Sequence, residues 1–246
     1  MSSSTGDAFL ESTKYQHLGP SDQKQGIEQP ALHAMLRSGQ NIALPDPQAL
    51  DLGAMALRDA IDTRRSLRTY DPAPLSLEEL SYLLWCTQGV KPISTHKFTL
   101  RTVPSAGARH AFETVLLVNR TDTLSSGLYQ YDAATHGLIQ WDSPSDSTDQ
   151  VMAACLDQRL IGNSAVTFIW VAARQRMAWR YGERGLRYLF LDAGHVCQNL
   201  HLAAESIAAG VCAIGAYDDD ALNGVLGLDG VSQFAIYLAG VGKRDM

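Results

Sequence analysis

The stretch RGLRYLFLDAGHVCQNLHLAAESIAAG, residues 184–210, decides the fold. Leu186, Leu189, Phe190, Ala193, Val196, Leu200, Ala203 and Ile207 recur at helical spacing and make a broad apolar face. Leu191, Leu202 and Ala204 widen it beyond one core-facing stripe. A helix apolar on most sides is buried in a core or against a second subunit. The remaining elements must therefore supply a sheet for one face and leave something to cover the other.

Working outward, strand patterns precede and follow this helix. ETVLLVN, GLYQYD, GLIQW and AVTFIWVAA alternate or run apolar over strand length. AATHG joins the second and third as a hairpin, and the almost wholly apolar fourth reads as a central strand. After the helix come GVCAIGA, a helix capped by Asp218, and QFAIYLAGVGK. Upstream, Ser76 and Glu79 form a capping box before LEELSYLLWCTQGV, where Leu77, Leu80, Leu83 and Leu84 make a stripe that Gly89 ends. LGAMALRDAIDTRRS, with Leu52, Met55, Ala56, Ala60 and Ile61 near helical spacing, places an arginine cluster at a helix C-terminus. The pattern predicts an α+β fold in one layered domain, residues 52–246. Residues 1–51 read as a polar N-terminal arm that wraps a partner subunit, with one short helix near PALHAMLRSG. Leu32, Met35, Leu36 and Leu44 are its anchors.

Composition limits the function. Of 246 residues, 46% are hydrophobic and 19% charged, which fills a globular core. The net charge of -6 opposes general binding to nucleic acid or an anionic membrane, because both need a positive field. The four cysteines are scattered, the seven histidines show no zinc spacing, and no metal site is expected. MSSSTGDAFLESTKYQHLG lacks a basic then apolar leader, and no run is long enough to span a bilayer. A cytoplasmic protein is expected.

Four short stretches carry candidate chemistry. Arg64, Arg65, Ser66 and Arg68 gather three guanidinium groups and a hydroxyl. They either decorate a helix end or hold an anion, and planar guanidinium suits phosphate. Pro104, Ser105, Ala106 and Gly107 form a small-residue loop where a flat ligand could approach the backbone. Ala213, Ile214, Gly215 and Ala216 end a strand, and Lys243 and Arg244 add cations at the tail. Taken alone, each stretch reads equally as a turn, a strand end or a solvated charge. No P-loop or Gly-rich dinucleotide motif is present.

In this order, these motifs resemble the FMN-dependent nitroreductase family. LSLEELSYLLWCTQGV followed by LRTVPSAGARHAFETVLLV looks most like its SagB/ThcOx-type dehydrogenase branch. The resemblance covers residues 52–244. It implies a mixed central sheet flanked by helices, with FMN at a homodimer interface. It implies that Arg64, Arg65, Ser66 and Arg68 contact the FMN phosphate, ribityl chain and pyrimidine edge. Pro104, Ser105, Ala106 and Gly107 would come from the partner subunit. Ala213, Ile214, Gly215 and Ala216 would lie near flavin N5, with Lys243 and Arg244 at the phosphate. ARHAF stands where many nitroreductases have Gln-Pro-Trp, and AIGA where they have Pro-x-Glu-Gly. The implied reaction moves hydride through N5 between NADH, NADPH or an organic substrate and a second acceptor, the substrate being a small molecule or a peptide. No side chain is nominated as an essential acid or base, although Tyr217 and His110 carry protons. The alternatives are a flavin-holding scaffold without turnover and a cysteine enzyme built on Cys197 and His201 at i, i+4.

Overall fold

The computed structural model describes residues 4–92 and 98–245. In chain order the elements are α1 (Thr5–Ser12), β1 (Gly39–Ala43), α2 (Leu57–Thr63), α3 (Leu77–Gln88), β2 (Phe112–Val118), β3 (Gly127–Asp132), β4 (Gly137–Trp141), α4 (Ser147–Ala154), α5 (Arg159–Asn163), β5 (Val166–Ala173), α6 (Arg174–Tyr181), α7 (Gly185–Glu205), β6 (Ala209–Ile214), α8 (Asp219–Leu226) and β7 (Gln233–Lys243). Seven strands form one sheet in the order β1-β4-β3-β2-β5-β7-β6. Every pair of neighbouring strands is antiparallel. The expected mixed character reduces to isolated parallel bridges, Ser66 to Val211 and Leu75 to Thr121.

The period of two along each strand sorts side chains into two cores. Phe112, Leu116 and Val118 of β2, with Phe168 and Trp170 of β5, face Leu80, Leu83 and Leu84 of α3 and Leu189, Val196 and Leu200 of α7. The alternate residues Val115, Leu117, Ile169 and Val171 face Val151 of α4, Ile161 of α5 and Leu222 and Leu226 of α8. Three layers result, with β5 buried between helices as its apolar run requires. The α3 start is the expected capping box. Ser76 Oγ accepts from Glu79 N–H at 3.2 Å, and Glu79 Oε2 accepts from Ser76 N–H at 3.0 Å. Gly89 N–H closes the far end on Trp85 C=O.

The N-terminal segment differs from its pattern. PALHAMLRSG forms no helix; the helix lies earlier, in α1. Residues 31–36 run as an irregular strap because buried side chains take their backbone groups. Glu113 accepts from Ala34 N–H, Gln130 accepts from Leu36 N–H and donates to Ala34 C=O, and Arg176 donates to Ala31 C=O. Those bonds replace the i−4 ladder a helix would need. Leu36 and Leu44 pack on the cores, whereas Met35 stays exposed. β1 then adds an edge strand beside β4.

Among the described residues no helix is long and apolar enough to cross a membrane, and no cluster of His, Cys, Asp and Glu could hold a metal. On α7, Phe190 and Leu191 are each 59% exposed. The surplus apolar face is therefore left open by this chain's own core.

Candidate functional site

The arginine cluster begins where α2 stops. Arg64 caps the helix, and the chain then runs along the free edge of β6. Leu67 N–H donates to Val211 C=O at 2.9 Å, fixing the segment against the strand. Arg64, Arg65 and Arg68 make no ion pair among the described residues, and Arg65 and Arg68 are exposed. Arg64 lies close enough to His201 to help keep it neutral, although burial is the larger cause. Three cations held beside one strand without carboxylates are poised for an anion.

The tail cations are different. Lys243 Nζ pairs with Glu79, the same carboxylate that closes the α3 capping box. Arg244 pairs with Glu205 at the end of α7, whose side chain is 2% exposed. Thr63 Oγ1 also donates to Glu205, at 3.1 Å. Glu205 thus gathers the end of α2, the end of α7 and the tail around one buried carboxylate. In the sequence Glu79 reads only as a helix cap, and Glu205 does not stand out.

The Pro104–Gly107 loop is held elsewhere on α7. Ser105 Oγ donates to Asp192 Oδ2 at 2.6 Å, and Ala106 N–H reaches the same carboxylate at 3.3 Å. Asp192 is buried, and burial raises its carboxyl pKa despite these bonds. Gly107 has φ +58°, and an added Cβ would stand 2.5 Å from the Tyr181 hydroxyl and 2.8 Å from Arg180 Cδ. Asp192 and Glu205 are thirteen residues apart on one helix, or ~20 Å at 1.5 Å per residue. The helix therefore keeps the carboxylate that braces the loop well apart from the one that holds Thr63 and Arg244. A signal for Asp192 existed. It falls among Leu189, Ala193 and Val196, so helical spacing puts a carboxylate on the buried face.

The third stretch ends β6. Ala213 is half-buried and Ile214 buried, while Gly215 and Ala216 are exposed. An added Cβ on Gly215 meets only Tyr237 Cε2, at 3.9 Å. Gln158 Nε2 donates to Ala216 C=O at 2.7 Å, while Gly215 beside it stays exposed.

The considered proton carriers are committed to the fold. Burial pushes His110 down to about 3, with Arg101 adding to the effect. Tyr217 donates to Ala235 C=O at 3.2 Å, and burial pushes it up to about 12. Burial likewise raises the Cys197 thiol to about 12 and lowers His201 to about 4. A thiolate–imidazolium pair is thereby disfavoured on both sides.

This α/β/α sandwich, with its cation-lined free sheet edge, is the architecture of a redox family. The sequence profile of the nitroreductase family matches residues 61–243, and the chain belongs to that family of oxidoreductases. A Methanocaldococcus jannaschii protein described as a nitroreductase is 32% identical over 197 residues, covering 80% of this chain and 96% of its own. The trifolitoxin-processing protein TfxB of Rhizobium leguminosarum bv. trifolii is 28% identical over 166 residues, covering 64% of this chain and 44% of TfxB. The crystal structure of an Anabaena variabilis protein described as a nitroreductase superposes with TM-score 0.65 at 30% identity. That match covers 77% of this chain, which spans only 38% of the Anabaena chain.

Proposed function

We propose that the chain is an FMN-dependent oxidoreductase of the SagB-type dehydrogenase branch, working as a homodimer with two shared flavin sites. When bound, FMN supplies the redox chemistry by accepting and returning a hydride. The protein's own part is to bind, orient and enclose. Arg64, Arg65 and Arg68 hold the phosphate, and Ser66 adds a hydroxyl. Ala213 to Ala216 offer an open strand end to the ring. Lys243 and Arg244 act from behind, their charges already shared with Glu79 and Glu205. The Pro104–Gly107 loop, braced by Asp192, closes the ring face of the partner's site. NADH or NADPH, or the organic substrate itself, is the hydride donor.

The observation that carries this reading is the unpaired arginine triad fixed to the free edge of β6. The ~20 Å along α7 between Asp192, which braces the loop, and Glu205, which accepts from Thr63 beside the triad, supports a site built from two copies. For the branch, support comes from the relative named for trifolitoxin processing, a role that points to peptide substrates. The N-terminal arm, residues 1–51, then extends the dimer contact.

An absorbance spectrum of the purified protein, followed by anaerobic addition of NADH and then NADPH, tests the reading. A flavin band that bleaches with either donor is expected. A colourless protein that also fails to bind added FMN would refute it.

A further inference from the structure

A cavity of about 390 Å³ opens between α2, α3 and α7, and none of the residues assigned above to flavin lines it. Its size falls in the range of small-molecule sites. Leu57, Leu202 and Trp85 form apolar walls. The polar atoms among them have defined capacities. Asn199 Nδ2 donates to Cys86 C=O at 2.9 Å. A carbonyl only accepts, so this bond fixes the amide, and Asn199 Oδ1 has no donor among the described residues. Thr102 Oγ1 donates to Trp85 C=O at 2.6 Å, leaving its lone pairs as acceptors. Tyr82 and Ser206 are bonded to each other at 3.1 Å. Lys91 is the one charged residue in the lining, and it makes no ion pair among the described residues.

We propose that this cavity is a second binding site, for a small aromatic acid carrying a ring O–H or N–H. The apolar walls and Trp85 take the ring, since aromatic pairs in offset-stacked or edge-to-face contact gain beyond their area burial. Asn199 Oδ1 and Thr102 Oγ1 accept from the ring donor, a role that a plain hydrocarbon acid cannot fill. Lys91 takes the carboxylate. Of the two, charge recognition is the stronger element, because hydrogen bonds to ionised groups are about twice as strong as neutral ones. The site adjoins the arginine triad, with Ala60 of its wall one helical turn before Arg64. A ligand there sits beside the redox site without using its contacts.

Calorimetric titration of the flavin-bound protein with 4-hydroxybenzoate, benzoate and 4-hydroxybenzamide tests the assignment. Saturable binding of 4-hydroxybenzoate, one per chain, is expected, with benzoate and 4-hydroxybenzamide each weaker. Lys91→Met should weaken 4-hydroxybenzoate by about tenfold, one charge-assisted bond, and leave the amide within about twofold. Leu57→Trp fills the cavity from an exposed position and should abolish binding of all three, with flavin content and melting temperature unchanged. Absence of saturable binding overturns the proposal. So does a Lys91→Met loss equal for acid and amide, or Leu57→Trp binding like the parent. Flavin content is read in each sample, so failure here is distinct from failure of the FMN assignment.

Discussion

Ser105 Oγ donates to Asp192 Oδ2 at 2.6 Å while accepting from His110 N–H at 2.9 Å. One buried carboxylate on α7 thereby sets the path of the whole Pro104–His110 loop. Asp192→Ala strips the acceptor from Ser105 Oγ and from Ala106 N–H, and unsatisfied buried donors cost about 1–3 kcal/mol. The variant should lose about 2 kcal/mol in urea unfolding at neutral pH. Asp192→Asn keeps one acceptor and should lose less. Equal midpoints for parent and Asp192→Ala would show that the loop is held by other contacts.

Arg64 and Arg65 differ from Lys243 and Arg244 in having no carboxylate to lose. The double variant Arg64→Ala, Arg65→Ala should therefore unfold within about 0.5 kcal/mol of the parent, as surface changes usually do. Its flavin should be lost on purification, because charge-assisted bonds to phosphate are among the strong ones. Full occupancy in the double variant removes the triad from the site.

Two glycines separate a fold role from a site role. Gly107 sits at φ +58° with no room for a Cβ, so Gly107→Val strains backbone and neighbours together. It should cost stability first. Gly215 has no such crowding within the chain, so Gly215→Val should melt like the parent and fail only in flavin binding or turnover. If Gly215→Val keeps normal flavin and kinetics, the end of β6 is not at the ring.

Periodicity made most of this fold legible. The two faces of β2 and β5, the capping box at Ser76 and the buried face of α7 follow from local spacing. The helical pattern runs on to Ala209, although α7 ends at Glu205 and the pattern gives way to β6. What stayed hidden depends on distant partners. The strap at residues 31–36 reads as helix until Glu113, Gln130 and Arg176 claim its backbone. In the site, cation-rich and glycine-rich stretches advertise themselves by composition. Their holders do not, since Glu79 reads as a cap and Glu205 as a polar position near a helix end. Only folding shows that these carboxylates meet Lys243 and Arg244.

Acid should destabilise this protein through its histidines. Burial is the main cause that pushes His33 and His201 down to about 4 and His110 to about 3. The cations Arg101 and Arg64 reinforce it. A folded-state pKa below the unfolded value of ~6.5 means the unfolded chain binds protons first. The stabilisation is thus fully present above ~6.5 and is lost as pH falls towards 4. Unfolding midpoints measured from pH 7.5 to 4.5 should decline across that window. His33→Gln should flatten the decline, because one of the three groups is gone. A pH-independent midpoint would contradict the burial of these side chains.

The last prediction joins assembly to cofactor. Phe190 and Leu191 stand 59% exposed on a helix whose other side is packed into the core. A second copy presenting the same face satisfies both chains at once, and a two-fold contact is the commonest form of such an interface. In the proposed shared site, the Pro104–Gly107 loop of a second copy closes the ring face. Bound flavin then favours the state that completes the site, and dimerisation and flavin retention become one equilibrium. Sedimentation should show a dimer at micromolar concentration, and dilution should release flavin in step with dissociation. Leu191→Glu places a charge in the contact and should shift both transitions together to higher protein concentration, with the monomer still folded. A Leu191→Glu monomer that holds FMN as tightly as the parent would show that one chain makes the whole site.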